Sequence, residues 1–272
     1  MPELAEVETV RNTLKKRILH KKIEDVIIYY SRMIENGKEE FRNILLNNKF
    51  VDIKRYGKWL IFELNDYYLL SHLRMEGKFF IKNKNDEHDK HEHIIIRFND
   101  GTDLRYHDTR KFGRMKLVEK DKLWETPELS KMGPEANSDE LTTKYLLDKL
   151  SSKTVPIKTA LLDQEIISGL GNIYVDEVLF ASNIQPLRKT DTITEFECQK
   201  IIDSSKKILT KAIEEGGTTI RSYTSSLGVT GNYQNFLSVH KREGLPCKTC
   251  NNLIKRIKVG GRSTYFCEYC QK

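Results

Sequence analysis

The residues best suited to chemistry lie at the amino terminus, which reads Met1-Pro2-Glu3. Proline has a secondary amine only as the first residue of a chain, so removal of Met1 would create one. An α-amino group titrates at about pH 7.7–8.0, against about 10.4 for lysine, so much of it is a nucleophile at neutral pH. Secondary amines condense with aldehydes to iminium ions, which are strong electron sinks, and Glu3 is placed to transfer protons.

The same residues also suit the first turn of a helix. Apolar residues recur at steps of three and four from Leu4 to Ile18, which predicts an amphipathic helix. Proline and acidic residues such as Glu6 are favoured at helix starts. The terminus alone is therefore consistent with two interpretations, an ordinary helix start and a catalytic amine with its proton donor.

A zinc site of four thiolates is predicted near the carboxyl end. The spacing is C-x2-C, sixteen residues, then C-x2-C, and the ligands are Cys247, Cys250, Cys267 and Cys270. A disulfide framework is the alternative, but it does not fit a cytoplasmic chain. We therefore predict one structural Zn²⁺. Cys198, inside a predicted helix, is expected to be an ordinary buried cysteine and not a ligand.

Length and composition are those of a soluble globular protein with room for two domains. The chain has 272 residues, of which 38% are hydrophobic and 31% charged, and its formal net charge is +7. The positive charge favours an anionic partner such as nucleic acid. No apolar run approaches the length of a membrane span and no secretion signal precedes Glu3, so we expect a cytoplasmic protein without a membrane partner.

The elements that must position these residues change in type along the chain. Eight short segments between residues 23 and 118 are rich in β-branched and aromatic residues, which predicts a two-sheet β-sandwich or barrel. One helix is predicted at 34–48. Later residues have helical periodicity, and the zinc segment is predicted as a β-hairpin with strands at 253–259 and 263–266.

We therefore predict an α+β fold with two domains. An amino-terminal helix and the β-sandwich, the catalytic domain, take residues 1–120, and a connection takes 121–138. A helical DNA-binding domain takes 139–236, and its glycine- and serine-rich part at 216–236 is predicted as a loop. The zinc-finger hairpin takes 237–272.

Two glycines, Gly169 and Gly171, interrupt the helical region just before Asn172. Glycines let backbone N–H groups approach a ligand, and the start of the next helix is a natural phosphate site. A tight turn between helices without a ligand is the alternative. In a basic chain with a zinc hairpin, a helix-turn-helix favours contact with a DNA backbone. Further phosphate candidates are Lys153, Lys158, Arg256, Lys258 and Arg262.

Three polar motifs, at 55–58, 71–77 and 108–113, fall where predicted strands end. They contain Lys58, Met75, and Arg110 close to Phe112. Base-flipping enzymes insert apolar side chains between stacked bases, and an arginine can occupy the hydrogen-bonding positions that the extruded base leaves. Taken singly, Met75 and Phe112 also fit a hydrophobic core.

These motifs, in this order, resemble those of one family. The sequence reads PELAEVET at 2–9, RYGK at 55–58, SHLRMEGK at 71–78, KHEH at 90–93, DTRKFG at 108–113 and GLGNIYVDE at 169–177, before the zinc hairpin. Over essentially its whole length the chain resembles bacterial formamidopyrimidine-DNA glycosylase, which removes 8-oxoguanine and ring-opened purines from DNA. The resemblance implies a helix-two-turn-helix in the helical domain.

The resemblance also implies a role for each matching residue in the chemistry. Pro2 would attack the sugar C1′ and form a Schiff base, Glu3 would be the catalytic acid, and Glu6 would support both. Lys58 would bind a phosphate and assist β-elimination. Arg262 would bind phosphate and act in δ-elimination.

Further matching residues would contact DNA without reacting. Met75, Arg110 and Phe112 would fill the void left by the extruded base, with Arg110 pairing with the estranged cytosine. Glu76 and the 216–236 loop would surround the extruded base. The implied contacts to DNA are His72, His91, Arg110, Lys153 and Asn172.

The implied activity is that of a glycosylase and AP lyase of base excision repair. We expect a nucleoid-associated monomer that acts on double-stranded DNA by β,δ-elimination. Alternatives are an endonuclease VIII-like glycosylase for oxidised pyrimidines and a catalytically silent zinc-dependent DNA-binding protein. Ala5 and Thr159 stand where the family usually has proline, and we expect Ala5 to keep the helix geometry because alanine is a good helix former.

Overall fold

The computed structural model describes residues 1–218 and 231–272, which fall into two compact units. The first unit comprises Met1–Ser130 with Thr218–Gly231, and the second comprises Lys131–Gly217 with Asn232–Lys272. Helices and antiparallel strands together confirm the predicted α+β class. Of the predicted 216–236 loop, residues 219–230 lie outside the described residues.

The first unit contains a helix and a two-sheet β-sandwich, as predicted. Helix α1 (Leu4–Ile18) buries Leu4, Val7, Val10, Leu14 and Ile18, the residues of its apolar stripe. The strands are β1 (Ile23–Ile28), β2 (Asp52–Tyr56), β3 (Trp59–Glu63), β4 (Tyr67–His72), β5 (Lys78–Asn83), β6 (Glu92–Phe98), β7 (Thr102–His107) and β8 (Arg114–Glu119). One sheet has the strand order β1-β6-β7-β5 and the other β2-β3-β4-β8, with antiparallel neighbours.

Aromatic contacts join the two sheets. Phe62 of β3 packs edge-on against Phe79 of β5, with ring centroids 5.6 Å apart. Phe79 in turn contacts Tyr106 of β7 at 5.1 Å. These rings belong to a core that also includes the buried face of α1. The apolar core therefore fixes α1 on the same body as the strand ends that carry the polar motifs.

The second unit is helical and ends in the zinc hairpin. Its helices are α4 (Thr143–Ser151), α5 (Ile157–Leu161), α6 (Asn172–Ala181) and α7 (Glu195–Glu214), and its strands are β9 (Lys255–Val259) and β10 (Arg262–Phe266). Thr194 begins α7 with a capping box, because its hydroxyl accepts from Glu197 N and the Glu197 carboxylate accepts from Thr194 N. Cys198 of α7 is buried, and burial raises the pKa of its thiol to about 11.

Two segments differ in detail from their prediction. The helix predicted at 34–48 is the shorter α2 (Lys38–Leu45), since the residues on either side of it form isolated β-bridges, Ile34 with Met115 and Lys49 with Lys22. The segment predicted as a connection holds a 3₁₀ helix at Lys120–Glu125 and the one-turn helix α3 (Pro127–Ser130). In the described ranges, no helix is both long and apolar enough to span a membrane.

Arg105 of β7 is the centre of a buried charge network in the sandwich. Its guanidinium donates to the carboxylates of Glu92 and Asp103 and to backbone carbonyls of Asn83 and Asp86. We expect Arg105→Met to lower the free energy of unfolding by about 3 kcal/mol, because it leaves buried acceptors without their donor.

Arg97→Met is the matched control, because Arg97 also pairs with Asp103 but is 26% exposed at its side chain. Its loss should cost about 1 kcal/mol or less. Urea unfolding followed by tryptophan fluorescence measures both, since the chain's two tryptophans, Trp59 and Trp124, lie in the first unit. Equal decreases in the free energy of unfolding for the two variants would contradict the central role of Arg105 in this network.

Candidate functional site

The amino terminus is buried and held by Glu6. Pro2 is buried and Glu3 is 3% exposed. One carboxylate oxygen of Glu6 accepts from Glu3 N at 2.9 Å, and the other accepts from the backbone N and hydroxyl of Thr218 at 2.8 and 3.0 Å. Chain ends usually fray. Here the carboxylate fixes the residue that follows Pro2.

Lys58 lies in the tight turn between β2 and β3, and a second ion pair connects that turn to α1. The turn is Gly57-Lys58, with Gly57 at φ +54°, where glycine is favoured. Arg55 donates from Nε to Glu8 of α1 at 2.8 Å and from Nη1 to Gly57 O at 3.0 Å. The Arg55 and Arg11 guanidiniums hold the pKa of Glu8 below its usual value against the opposing effect of burial. The helix that begins beside Pro2 is thereby tied to the turn that carries Lys58.

His72 ends β4 as a buried neutral imidazole. Its Nδ1 accepts from Arg74 N at 3.0 Å, and its ring packs edge-on against Trp59 at 4.8 Å. Burial, with smaller contributions from Arg74 and Lys58, lowers the pKa of His72 to about 3. Because Nδ1 is the acceptor, Nε2 carries the proton and is the atom able to donate to a phosphate.

The first wedge loop, residues 73–77, carries Met75 and Glu76, both of which are half-buried. Gly77 N donates to Leu73 O at 3.0 Å, which closes the loop. Arg74 has a φ of +53°, a left-handed conformation that is uncommon outside glycine and is held here by its N–H bond to His72. Met75 is therefore presented from a fixed turn, and it is not among the fully buried residues of the hydrophobic core.

The second wedge loop, residues 108–113, is organised by the buried carboxylate of Asp108. One oxygen accepts from Arg110 N at 2.9 Å, and the other accepts from Phe112 N and Gly113 N at 2.9 and 2.8 Å. The loop exposes Arg110, and Phe112 is 46% exposed. The Arg110 guanidinium stacks 4.6 Å from the Phe112 ring centroid. The aromatic and the cation thus project together into solvent.

His91 lies in the turn just before β6, which begins at Glu92. His91 is half-buried, its N–H donates to Asp89 at 2.7 Å, and its ring lies edge-on to His107 at 5.6 Å. Asp108 N donates to His91 O at 3.0 Å. His91 is therefore connected through its backbone to the loop that carries Arg110.

In the second unit, Asn172 is the first residue of α6 after the Gly169-Leu170-Gly171 turn. Its Nδ2 donates to Ser263 O at 2.9 Å, next to Arg262 in the zinc hairpin. Gly169 has a φ of +96°, which requires glycine. Lys153 and Arg262 are exposed. The start of α6 and the second residue of β10 are thereby joined within one unit.

Lys158 is not a surface phosphate contact, contrary to the sequence prediction. It is 0% exposed, and its Nζ donates to Asp176 at 2.6 Å and to Ser263 O at 3.0 Å. The other Asp176 oxygen lies 2.7 Å from His240 Nδ1. Lys158 and Asn172 therefore hold the same carbonyl of the hairpin, and a buried charge network supports that contact from α6.

The four cysteine thiols fit a zinc ion. Their sulfur atoms lie within 4.8 Å of one another, with Cys247 to Cys270 at 3.9 Å and Cys250 to Cys267 at 3.4 Å. Thiolates placed about 2.3 Å from Zn²⁺ in a tetrahedron are about 3.8 Å apart. Glu177 of α6 holds the segment before the site, because its buried carboxylate accepts from the backbone N of Ser238, Val239 and His240.

Comparisons with known proteins agree along the whole chain. Residues 1–115 match the formamidopyrimidine-DNA glycosylase N-terminal domain, 132–224 match the formamidopyrimidine-DNA glycosylase H2TH domain, and 244–272 match the zinc finger found in Fpg and IleRS. A formamidopyrimidine-DNA glycosylase of Bacillus cereus is 43% identical over 100% of this chain and 99% of its own length. The chain belongs to the formamidopyrimidine-DNA glycosylase family. This confirms the resemblance and the structural zinc.

Solved structures of this family also match. A variant of the Lactococcus lactis enzyme in complex with Fapy-dG-containing DNA has a TM-score of 0.95 and 42% identity, with 100% of both chains covered. The Lactococcus lactis enzyme with DNA that contains an abasic site has a TM-score of 0.94 and 41% identity, again over 100% of both chains. The family membership favours neither the endonuclease VIII-like alternative nor the silent DNA-binding alternative.

Sequence reasoning missed the carboxylates and hydroxyls that hold these elements in place. Asp108 had a usable signal, because an aspartate at the start of a turn accepts backbone N–H groups two residues on. Thr218 had none, since its partner Glu6 is 212 positions away. Asp176 and Glu177 fell inside a recognised motif, but helical periodicity does not tell an anchoring carboxylate from a solvated one.

The burial of His72 generates a pH prediction. Unfolded, the imidazole binds a proton with its usual pKa of 6.5, whereas folded it does so only near 3. Acidification from pH 6.5 towards 4 therefore favours unfolding, by about 1.4 kcal/mol for each pH unit. His72→Asn keeps an acceptor for Arg74 N and should lack this slope. The measurement is the difference in unfolding free energy between the two proteins at several pH values, and a constant difference would refute the assignment.

The zinc site generates a second prediction. Cys247→Ser should abolish zinc binding and weaken DNA binding at least about tenfold, because the hairpin depends on the metal for its fold. The tryptophan unfolding transition of the first unit should stay near that of the unchanged protein. Zinc content, gel-shift titration and fluorescence measure the three quantities. Full DNA affinity in a zinc-free variant would contradict the prediction.

Proposed function

We propose that this chain is a bifunctional DNA glycosylase and AP lyase that excises oxidised purines, including 8-oxoguanine and formamidopyrimidines, through a Schiff base on Pro2. The observation that carries the proposal is a buried Pro2-Glu3 terminus, held by Glu6, in a chain of the formamidopyrimidine-DNA glycosylase family. The Lactococcus lactis relatives with Fapy-dG and abasic-site DNA support the choice of substrate.

Base removal begins at the chain end. Removal of Met1 exposes the secondary amine of Pro2, which attacks the sugar C1′ as the bond to the damaged base breaks. The proton that the amine loses neutralises the departing base. Glu3, the neighbouring acid, supplies a proton as the sugar ring opens to an iminium ion. Glu6 stays outside the proton transfer, because both its oxygens accept from backbone or hydroxyl donors that hold the terminus.

Strand cleavage follows from the iminium ion. This electron sink acidifies the proton on C2′, and loss of that proton expels the 3′ phosphate. A second elimination expels the 5′ phosphate and leaves a one-nucleotide gap. Lys58, 5% exposed in its tight turn, is positioned by the sheet and by the Arg55–Glu8 pair to hold a phosphate beside the reacting sugar.

The two wedge loops extrude the damaged base from the DNA stack. Met75 and Phe112 are apolar side chains on rigid turns, and Arg110 stacked on Phe112 is placed to occupy the pairing face of the estranged cytosine. Glu76, beside Met75, faces the extruded base. The neutral Nε2–H of His72 and the ring of His91 bind phosphates on the same unit.

The second unit binds the DNA backbone. Lys153, Asn172 and Arg262 are the contacting side chains, and Arg262 also takes part in δ-elimination. When zinc is bound, four thiolates fill its shell, so its contribution is structural. We place the protein in the cytoplasm, at the nucleoid.

Borohydride trapping on DNA with 8-oxoguanine opposite cytosine tests this proposal. The Met1-processed protein should form a covalent adduct and excise 8-oxoguanine much faster than thymine glycol. A chain with one glycine inserted before Pro2 should lose the adduct, because the secondary amine then becomes an amide.

Mass spectrometry of the intact protein confirms the state of the terminus, and DNA binding by the insertion variant controls for folding. The mechanism would be refuted if the processed protein formed no borohydride-trapped adduct, or if the insertion variant formed as much adduct as the processed protein. Preference for thymine glycol would favour the pyrimidine-specific branch.

A further inference from the structure

The hydroxyl of Tyr106 lies where the two wedge loops approach each other. Tyr106 belongs to β7, pairs directly with Phe79 of β5 and Ile94 of β6, and is 1% exposed. Its ring packs edge-on against Phe79, with centroids 5.1 Å apart. A central strand and a buried ring fix the position of this oxygen more firmly than either loop could fix itself.

Each wedge loop presents a glycine to this oxygen. A methyl group on Gly113 would lie 1.7 Å from Tyr106 Oη and 2.6 Å from its Cζ, and one on Gly77 would lie 2.1 Å from the same Oη. Real Cβ contacts are longer than 3.0 Å, so no other residue fits at either position without movement. The hydroxyl therefore fills the space between two bare backbone segments.

Backbone conformation does not explain these glycines. Neither Gly77 nor Gly113 is among the residues with positive φ, whereas the glycine of the Lys58 turn is. What requires glycine at 77 and 113 is close approach, and Tyr106 is the approaching group that both share. Gly77 is further constrained by Leu73 O, which a methyl group would meet at 2.5 Å.

We propose that Tyr106 is a positioning residue for base extrusion, whose hydroxyl sets the separation of the two wedge loops. This rests on the proposed function, in which Met75 and Phe112 enter the DNA stack together. Each loop is held internally, the first by Gly77 N to Leu73 O and the second by Asp108. The contact through Tyr106 adds the spacing between them, which neither internal set of bonds provides.

The proposal predicts that loss of the Tyr106 hydroxyl slows only those reactions in which a base must be flipped out of the duplex. A damaged base must be unstacked before Pro2 can reach C1′, whereas an abasic sugar has no base to extrude. Loss of the spacing should therefore slow excision of 8-oxoguanine and leave cleavage at an abasic site largely intact. A general loss of stability would reduce both activities in parallel.

Tyr106→Phe in the full zinc-loaded chain removes only the oxygen. Single-turnover excision of 8-oxoguanine should slow about tenfold, with abasic-site trapping within about twofold of the unchanged protein. The fluorescence rise of 2-aminopurine beside the lesion, which reports unstacking, should slow by the same factor as excision. Tyr145→Phe is the matched control, since it removes a hydroxyl that donates to Ile166 O at 3.1 Å in the second unit, and it should change neither activity.

Gly113→Ala perturbs the same contact by a change in the loop instead of a change in Tyr106. It should slow excision more than Tyr106→Phe does, because the new methyl group meets the oxygen. In the double variant the oxygen is gone, so the combined loss should be smaller than the product of the two single losses.

The outcomes separate this inference from the proposed function. No borohydride adduct with the unchanged protein defeats the proposed function itself. If the unchanged protein forms a normal adduct, three results would overturn the role of Tyr106 alone. They are equal slowing of Tyr106→Phe on both substrates, no slowing of Tyr106→Phe on either, and fully multiplicative losses in the double variant.

Discussion

In the proposed mechanism the nucleophile is a chain end, which must be held as firmly as a residue in the middle of a strand, and the Glu6 carboxylate provides that anchor. It accepts from Glu3 N and from Thr218, so the terminus is anchored to a residue far away in sequence. A lysine nucleophile would bring its own long side chain to adjust its reach. Pro2 has no such freedom, and the position of its nitrogen is set entirely by the backbone of Glu3 and the helix that follows.

Buried carboxylates bind backbone N–H groups elsewhere in each unit as well. Asp108 collects three backbone N–H groups of the second wedge loop, and Glu177 collects three from the segment that precedes the zinc ligands. Burial raises the pKa of Glu177, while those donors and His240 act in the opposite direction. Charge-assisted bonds to backbone N–H are among the stronger ones in proteins. Irregular segments that present candidate functional side chains are thus fixed by buried carboxylates that bind their backbone.

Much of the fold could be predicted from the sequence because its signals are local. The stripe from Leu4 to Ile18, the short β-branched strands and the cysteine spacing each follow from periodicity or from one ion's geometry. The motifs around Lys58, Met75 and Arg110 were found for the same reason, since turn residues mark strand ends. Pairings such as Glu6 with Thr218, or Glu8 with Arg55, are set by tertiary packing, which no local pattern encodes.

Lys158 shows where residue type misleads. In a basic chain a lysine just before a helix-turn-helix suggests phosphate contact, yet this one is fully buried against Asp176 and the Ser263 carbonyl. The energetic cost of burying its charge is offset by an opposite charge and by hydrogen-bond acceptors, which the Asp176 carboxylate and the Ser263 carbonyl supply. The exposed Arg262 lies next to a carbonyl that is already held, so in the proposed function the residues that position the hairpin differ from the residue that binds phosphate.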